Sequence, residues 1–196
     1  MTKKSIIKEL DREIKETWLD EICREYGDGH FLLEAGLQCA YYHHLRNRLD
    51  GFLRDNGLFL YPEFYIREFG YYADLAIVSM DMAVDSEHLQ DKVSEIFALV
   101  ELKIGGSKSY IKTDLPKIKD YVQNLSHDCQ VYFGVIDENA VNSGLRWLDG
   151  RSIGHWPEGW FTELDAGWVE DKMFFEVNSY NNLNFSYRRS ECIFTW

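Results

Sequence analysis

The chain has 196 residues, 45% hydrophobic and 28% charged, with a formal net charge of −12. That length suits a single domain, residues 1–196, with a core of useful size. No apolar run approaches the roughly 18–20 residues a membrane-spanning helix needs, which argues against a helical membrane protein. The basic stretch Met1–Lys8 lacks a following apolar segment, so no secretory leader is expected and the chain is assigned to the cytoplasm.

Residues 4–26 predict a helix, because Ile6, Ile7, Leu10, Ile14, Trp18, Leu19 and Ile22 recur near a 3.6 period. Asp28-Gly29-His30 ends it, and a second helix is expected from about Phe31 to Leu53. Asn56-Gly57 is a turn signal. Two short strands, Leu58–Tyr61 and Phe64–Ile66, are expected around Pro62, followed by a strand through Asp74. Residues 80–93 are polar and acidic and read as an excursion before the apolar run Ile96–Val100 and Glu101. Gly105-Gly106 releases that strand into a loop. Asp114-Leu115-Pro116 predicts a helix start with Asp114 as N-cap, the helix reaching about Leu125. Gln130–Ile136 predicts a buried strand. Beyond residue 142 the chain is rich in short β-like runs and holds Trp147, Trp156, Trp160, Trp168 and Trp196. It is expected to form a β-rich, aromatic-rich extension over about 142–196. The succession of helix, strands, helix and strand predicts a layered α/β fold.

Cys23, Cys39, Cys129 and Cys192 include no close pair, which argues against a structural zinc site or a redox motif. In a reducing compartment they are expected as free thiols. His43 and His44 are neighbours, about 100° apart on a helix, and a shared metal does not suit them.

The chemistry concentrates in Asp74 and in Glu101-Leu102-Lys103. An acid set among Ile, Val and Leu is costly unless something binds it. Glu101 and Lys103 lie two apart on a strand and point the same way. Two carboxylates and a lysine at strand ends can hold a hard cation against a phosphate. On the second helix, Glu34 and Gln38 share a face, and Lys117 and Tyr121 do so on the later one. Lys103, Lys108, Lys112, Lys117 and Lys119 make a basic stripe on an otherwise acidic body, which suits phosphate contact.

This pattern resembles the PD-(D/E)xK, or restriction-endonuclease-like, nuclease superfamily over about residues 31–137. The match departs from the family motif before Asp74, where Ala73 stands in place of proline. The resemblance implies a mixed central sheet flanked by helices and a Mg²⁺- or Mn²⁺-dependent nuclease, acting on DNA more than RNA. It implies Asp74 and Glu101 as metal ligands, with the Leu102 carbonyl completing the set. Lys103 and Glu34 would serve catalysis. Lys117 would meet the phosphate, Lys108 and Lys112 the backbone, with Tyr121 and Gln38 beside them. A homodimer or a protein partner would supply specificity. Two other readings suit the acidic charge: a non-catalytic protein-interaction subunit on the same scaffold, or an acidic mimic of nucleic acid.

Overall fold

The computed structural model describes residues 1–105, 114–126, 128–138, 161–180 and 186–195. The first helical run comprises α1 (Lys3–Thr17), a wide π turn (Trp18–Ile22) and α2 (Cys23–Gly27). Thr2 caps it, its hydroxyl accepting from the Ser5 amide at 3.3 Å. The sequence predicts one unbroken helix here. The π turn shifts the helical phase, and it is where Trp18, Leu19 and Ile22 are buried. From that turn the Trp18 indole donates to the Asp165 carbonyl at 3.2 Å, and its ring lies 5.1 Å from Phe175.

Helix α3 (Glu34–Asp55) follows, then strands β1 (Leu58–Ile66), β2 (Tyr71–Met80) and β3 (Val93–Ile104). Helix α4 (Leu115–Asn124) and strand β4 (Gln130–Asp137) come next. Strands β5 (Phe161–Val169), β6 (Lys172–Tyr180) and β7 (Ser186–Cys192) complete the order. The seven strands of the described residues form one mixed sheet in sequence order. β1, β2 and β3 are antiparallel neighbours, β4 runs parallel to both β3 and β5, and β6 and β7 return antiparallel. The fold is therefore α/β, as the succession of elements predicts.

Each face of the sheet carries its own core. Leu37, Tyr41, Leu45 and Leu49 of α3 join Leu10, Ile14 and Trp18 against Leu75, Ile77, Val100 and Leu102. On the other face Ile118, Tyr121 and Val122 of α4 pack against Ala76, Leu99, Val131, Phe133 and Val135. A sheet covered on both sides needs apolar residues at successive positions, which explains the continuous run Ile96–Val100. Gly134 is required where the layers meet most closely. A Cβ there would stand 2.6 Å from Leu102 Cδ2 and 3.3 Å from the Trp18 ring.

Several expectations are corrected. The two strands around Pro62 are one strand, because β1 ends the sheet order and an edge tolerates a residue with no N–H. Regular pairing is interrupted only at Glu63, whose φ is 48°. The polar excursion is shorter than 80–93, since β2 reaches Met80 and β3 starts at Val93. The β-rich extension forms as expected, and its strands β5–β7 join the same sheet. Trp168 stacks on Phe194 with ring centroids 5.3 Å apart, while Trp147, Trp156, Trp160 and Trp196 lie outside the described residues.

Candidate functional site

β2 and β3 stop pairing where the acids sit. The last pair in this direction is Leu75 opposite Val100, so the next would set Asp74 opposite Glu101. The strands part there, and the Asp74 side chain takes over from the backbone ladder. Its Oδ2 accepts from the Leu102 amide at 2.6 Å. The N–H and C=O of one strand residue point to the same side. The Leu102 carbonyl therefore lies on the Asp74 side of β3, away from β4.

Glu101 is fully buried. Lys117 Nζ of α4 donates to its Oε2 at 2.7 Å, and the Tyr121 hydroxyl donates to its Oε1 at 2.9 Å. The one-turn spacing of Lys117 and Tyr121 is what lets both reach the same carboxyl. Burial, with the neighbouring Asp74 charge added, pushes the Glu101 carboxyl up to about 8. Burial also pushes Asp74 up to about 6, against the lowering effect of the Leu102 amide. Both carboxyls thus hold protons more firmly than ordinary acids do.

Lys103 lies between two helix starts. Its Nζ is 2.7 Å from Glu34 Oε1 at the first turn of α3 and 3.0 Å from Asp114 Oδ2 just before α4. Burial works against this ammonium, but the bonds to Glu34 and Asp114 outweigh it and hold its pKa above the ordinary lysine value. Gln38, one turn after Glu34, donates to the Asp74 carbonyl at 3.0 Å and to Glu63 Oε1 at 2.8 Å.

Sequence reasoning named Glu34, Gln38, Asp74, Glu101, Leu102, Lys103, Lys117 and Tyr121, and these gather at one end of the sheet. Lys108 and Lys112 lie outside the described residues. His44 is elsewhere, paired with Glu25 at 3.0 Å. Cys23, Cys39 and Cys129 carry free thiols, as does Cys192. Among the described residues, no three His, Cys, Asp or Glu side chains stand together as a ready-made metal cage.

Two members of the site were not anticipated. Asp114 precedes α4 as expected, but its side chain makes no capping bond and turns instead to Lys103. An acid before a helix reads equally as cap or ligand, so the local sequence carried no signal to separate them. Glu63 falls between the pairs Pro62–Leu75 and Phe64–Ala73, directly across from Asp74. Its positive φ is unusual for a residue with a Cβ, and such backbones concentrate at functional sites. The only hint was the preceding proline within a strand. β5 carries two further buried acids, Glu163 and Asp165, in register with Phe133 and Val135. Asn178 donates to Asp165 Oδ2 at 3.0 Å.

Comparison with protein families, with curated proteins and with solved structures finds no match to this chain.

Proposed function

We propose that this chain is a metal-dependent nuclease with a restriction-endonuclease-like core, hydrolysing phosphodiester bonds, in DNA more than in RNA. One observation carries the reading. Asp74, Glu101 and Lys103, picked from the sequence as a motif, meet at the parting of β2 and β3 with Glu34, Gln38 and Lys117 around them. The order α3-β1-β2-β3-α4-β4 supports it, with three antiparallel strands and a fourth parallel to the third across a helix.

The donor set suits Mg²⁺ or Mn²⁺. Such ions are commonly held by one or two carboxylates and keep several waters, so a full protein cage is not needed. Asp74 and Glu101 would be the side-chain ligands and Leu102 would contribute its carbonyl. A cation also removes the cost of burying the two acids, which without it is expressed in their raised pKa values. When bound, the ion supplies charge neutralisation at the phosphate and a lowered pKa for the attacking water.

The remaining chemistry belongs to the side chains. Lys103 stays protonated, held by Glu34 and Asp114, and presents positive charge where negative charge develops on the phosphate. Glu34 and Asp114 are positioning residues that fix this ammonium. Gln38 holds the Asp74 backbone in place. Lys117 is set to turn from Glu101 to a phosphate oxygen once Glu101 has another partner. Tyr121 keeps its bond to Glu101 and orients that carboxyl.

The test is cleavage of single- and double-stranded DNA and RNA with Mg²⁺ or Mn²⁺, beside an EDTA control and the Lys103→Ala chain. Cleavage that disappears in both controls supports the reading. A folded, metal-loaded protein that cuts none of these substrates overturns it.

A further inference from the structure

Beside the acids, on the edge strand, is a cavity that the hydrolytic chemistry does not use. It has a volume of 330 Å³ and is lined by Tyr61, Glu63, Phe64, Tyr65, Tyr72 and Leu89, among others. This lies at the lower end of the range of small-ligand pockets, ~300–1,000 Å³. Four of these six residues are aromatic. Tyr65 and Tyr72 are cross-strand partners with ring centroids 4.9 Å apart, and the Tyr61 and Phe64 rings are 6.3 Å apart with 29° between their planes. Two of these groups stay in water, Tyr72 at 56% and Leu89 at 59% exposure, while Tyr61 and Phe64 are partly buried against the core on the α4 face. A core would have covered Tyr72 and Leu89, and their exposure around a concave site marks a surface that binds something.

The position says what. Tyr72 precedes Asp74 by two residues on β2, about 7 Å along the strand. Glu63 lines the cavity and is joined through the Gln38 amide to the Asp74 carbonyl. The cavity therefore runs along β1 from the neighbourhood of Asp74 toward Met80 and Val93, and its Tyr72 and Glu63 end is within reach of one nucleotide unit from a phosphate held at the acids. An aromatic surface one unit from a phosphodiester site stacks a base, and a base can enter such a cavity only when it is unpaired. Stacking also supplies affinity that does not depend on positive charge, which suits a chain of net charge −12.

We propose that this cavity is a nucleobase subsite, and that the strand engaged at Asp74 and Glu101 is bound unpaired. The inference rests on the nuclease reading for the place of the phosphate, but its test separates the two. The full chain carrying Lys103→Ala, with Mn²⁺ present, is titrated with short single-stranded DNA in which 2-aminopurine replaces successive bases. One register should be quenched on binding. Tyr72→Ala in the same chain should lose that quenching and weaken single-strand binding about 5- to 150-fold, the range for losing one stacked base. Tyr72→Phe should keep both, and the slope of affinity against salt should stay the same. An abasic unit at the quenched register should weaken binding to the parent chain by the same factor.

Equal binding of abasic and intact strands overturns the subsite, as does a Tyr72→Ala chain that binds like its parent. Preference for a duplex over the single strand also overturns it. Metal-dependent cleavage without register-specific quenching leaves the nuclease and removes the subsite. Register-specific quenching lost in Tyr72→Ala, in a chain that cuts nothing, keeps the subsite and removes the nuclease.

Discussion

Two clusters of opposed charge lie on this molecule, and they behave differently because the lost hydration is made good at one and not at the other. Near the helical surface a single guanidinium, Arg48, meets Glu13 at 3.0 Å, Glu16 at 3.3 Å, Asp20 at 3.0 Å and Glu21 at 2.9 Å. At the sheet end two lysines share Glu34, Asp114 and Glu101, and Asp74 has the Leu102 amide. The Arg48 cluster holds more carboxylates per cation. Yet Asp20 there is 55% exposed, whereas Glu101 is 0%. Burial alone disfavours the Arg48 guanidinium, and the bonds from Glu21 and Glu13 reverse that and raise its pKa. Around Asp74 and Glu101 the local donors do not make good the lost water, and the carboxyl pKa values rise. The number of charges does not distinguish a brace from a receptor for a cation. The extent of desolvation left uncompensated does.

Lys103→Ala should sharpen this contrast most. It removes the ammonium held between α3 and α4 for the phosphate, and cleavage should fall by about 10²–10³ or more. Glu34 and Asp114 are partly exposed, so circular dichroism and the melting temperature should change little. Retained activity would take Lys103 out of the mechanism. Glu101→Gln and Asp74→Asn come next, each removing a ligand charge. Mn²⁺ affinity by calorimetry should drop at least about tenfold, and unchanged affinity would place the cation elsewhere.

The pH dependence separates the clusters directly. Asp74 and Glu101 bind protons more tightly folded than unfolded, so their contribution to stability is fully present below about pH 4. It is lost as pH rises through about 6 for Asp74 and about 8 for Glu101. In EDTA the melting temperature should therefore decline from pH 5 to pH 9, and Glu101→Gln should flatten the decline. Divalent cations should reverse it, and metal binding should release protons. A wild-type curve as flat as the variant's would contradict the burial argument.

Lys117→Ala should weaken nucleic-acid binding and reduce the slope of log affinity against log salt by about one. An unchanged slope would return Lys117 to a purely structural partner of Glu101. The smallest effect is expected at the other cluster. Arg48→Met takes one cation from Glu13, Glu16, Asp20 and Glu21, of which Glu13 and Glu16 keep Arg12, and should cost about 1 kcal/mol, more at low salt. Its cleavage rate and Mn²⁺ affinity should match the parent, and a loss of either would mean the two clusters are coupled.

Much of the scaffold was legible along the chain. The 3.6 period of Leu10, Ile14 and Trp18 marks a helix, and the run Ile96–Val100 marks a strand buried on both faces. The motif residues stood out for a local reason, since Asp74 and Glu101 are acids in apolar strands. Glu34, Gln38, Lys117 and Tyr121 were recognisable as one-turn pairs on helix faces. What those pairs would face was not. Asp114 reads as a cap until Lys103 is seen within 3.0 Å of it. Glu63 has no local mark beyond Pro62, and the three strands β5–β7 do not declare which sheet they join.

The sequence by itself determined most of the helix and strand segments up to β4 and the presence of an acid-acid-lysine motif, because periodicity and misplaced charge are properties of neighbouring residues. Tertiary structure decided which groups share the site. Lys117 meets Glu101 because α4 crosses β3, Asp74 reaches the Leu102 amide because β2 and β3 part, and Tyr72 opens on a cavity because β1 ends the sheet. These are consequences of register and helix packing between residues far apart in the chain, and the raised carboxyl pKa values follow from the burial that such packing creates.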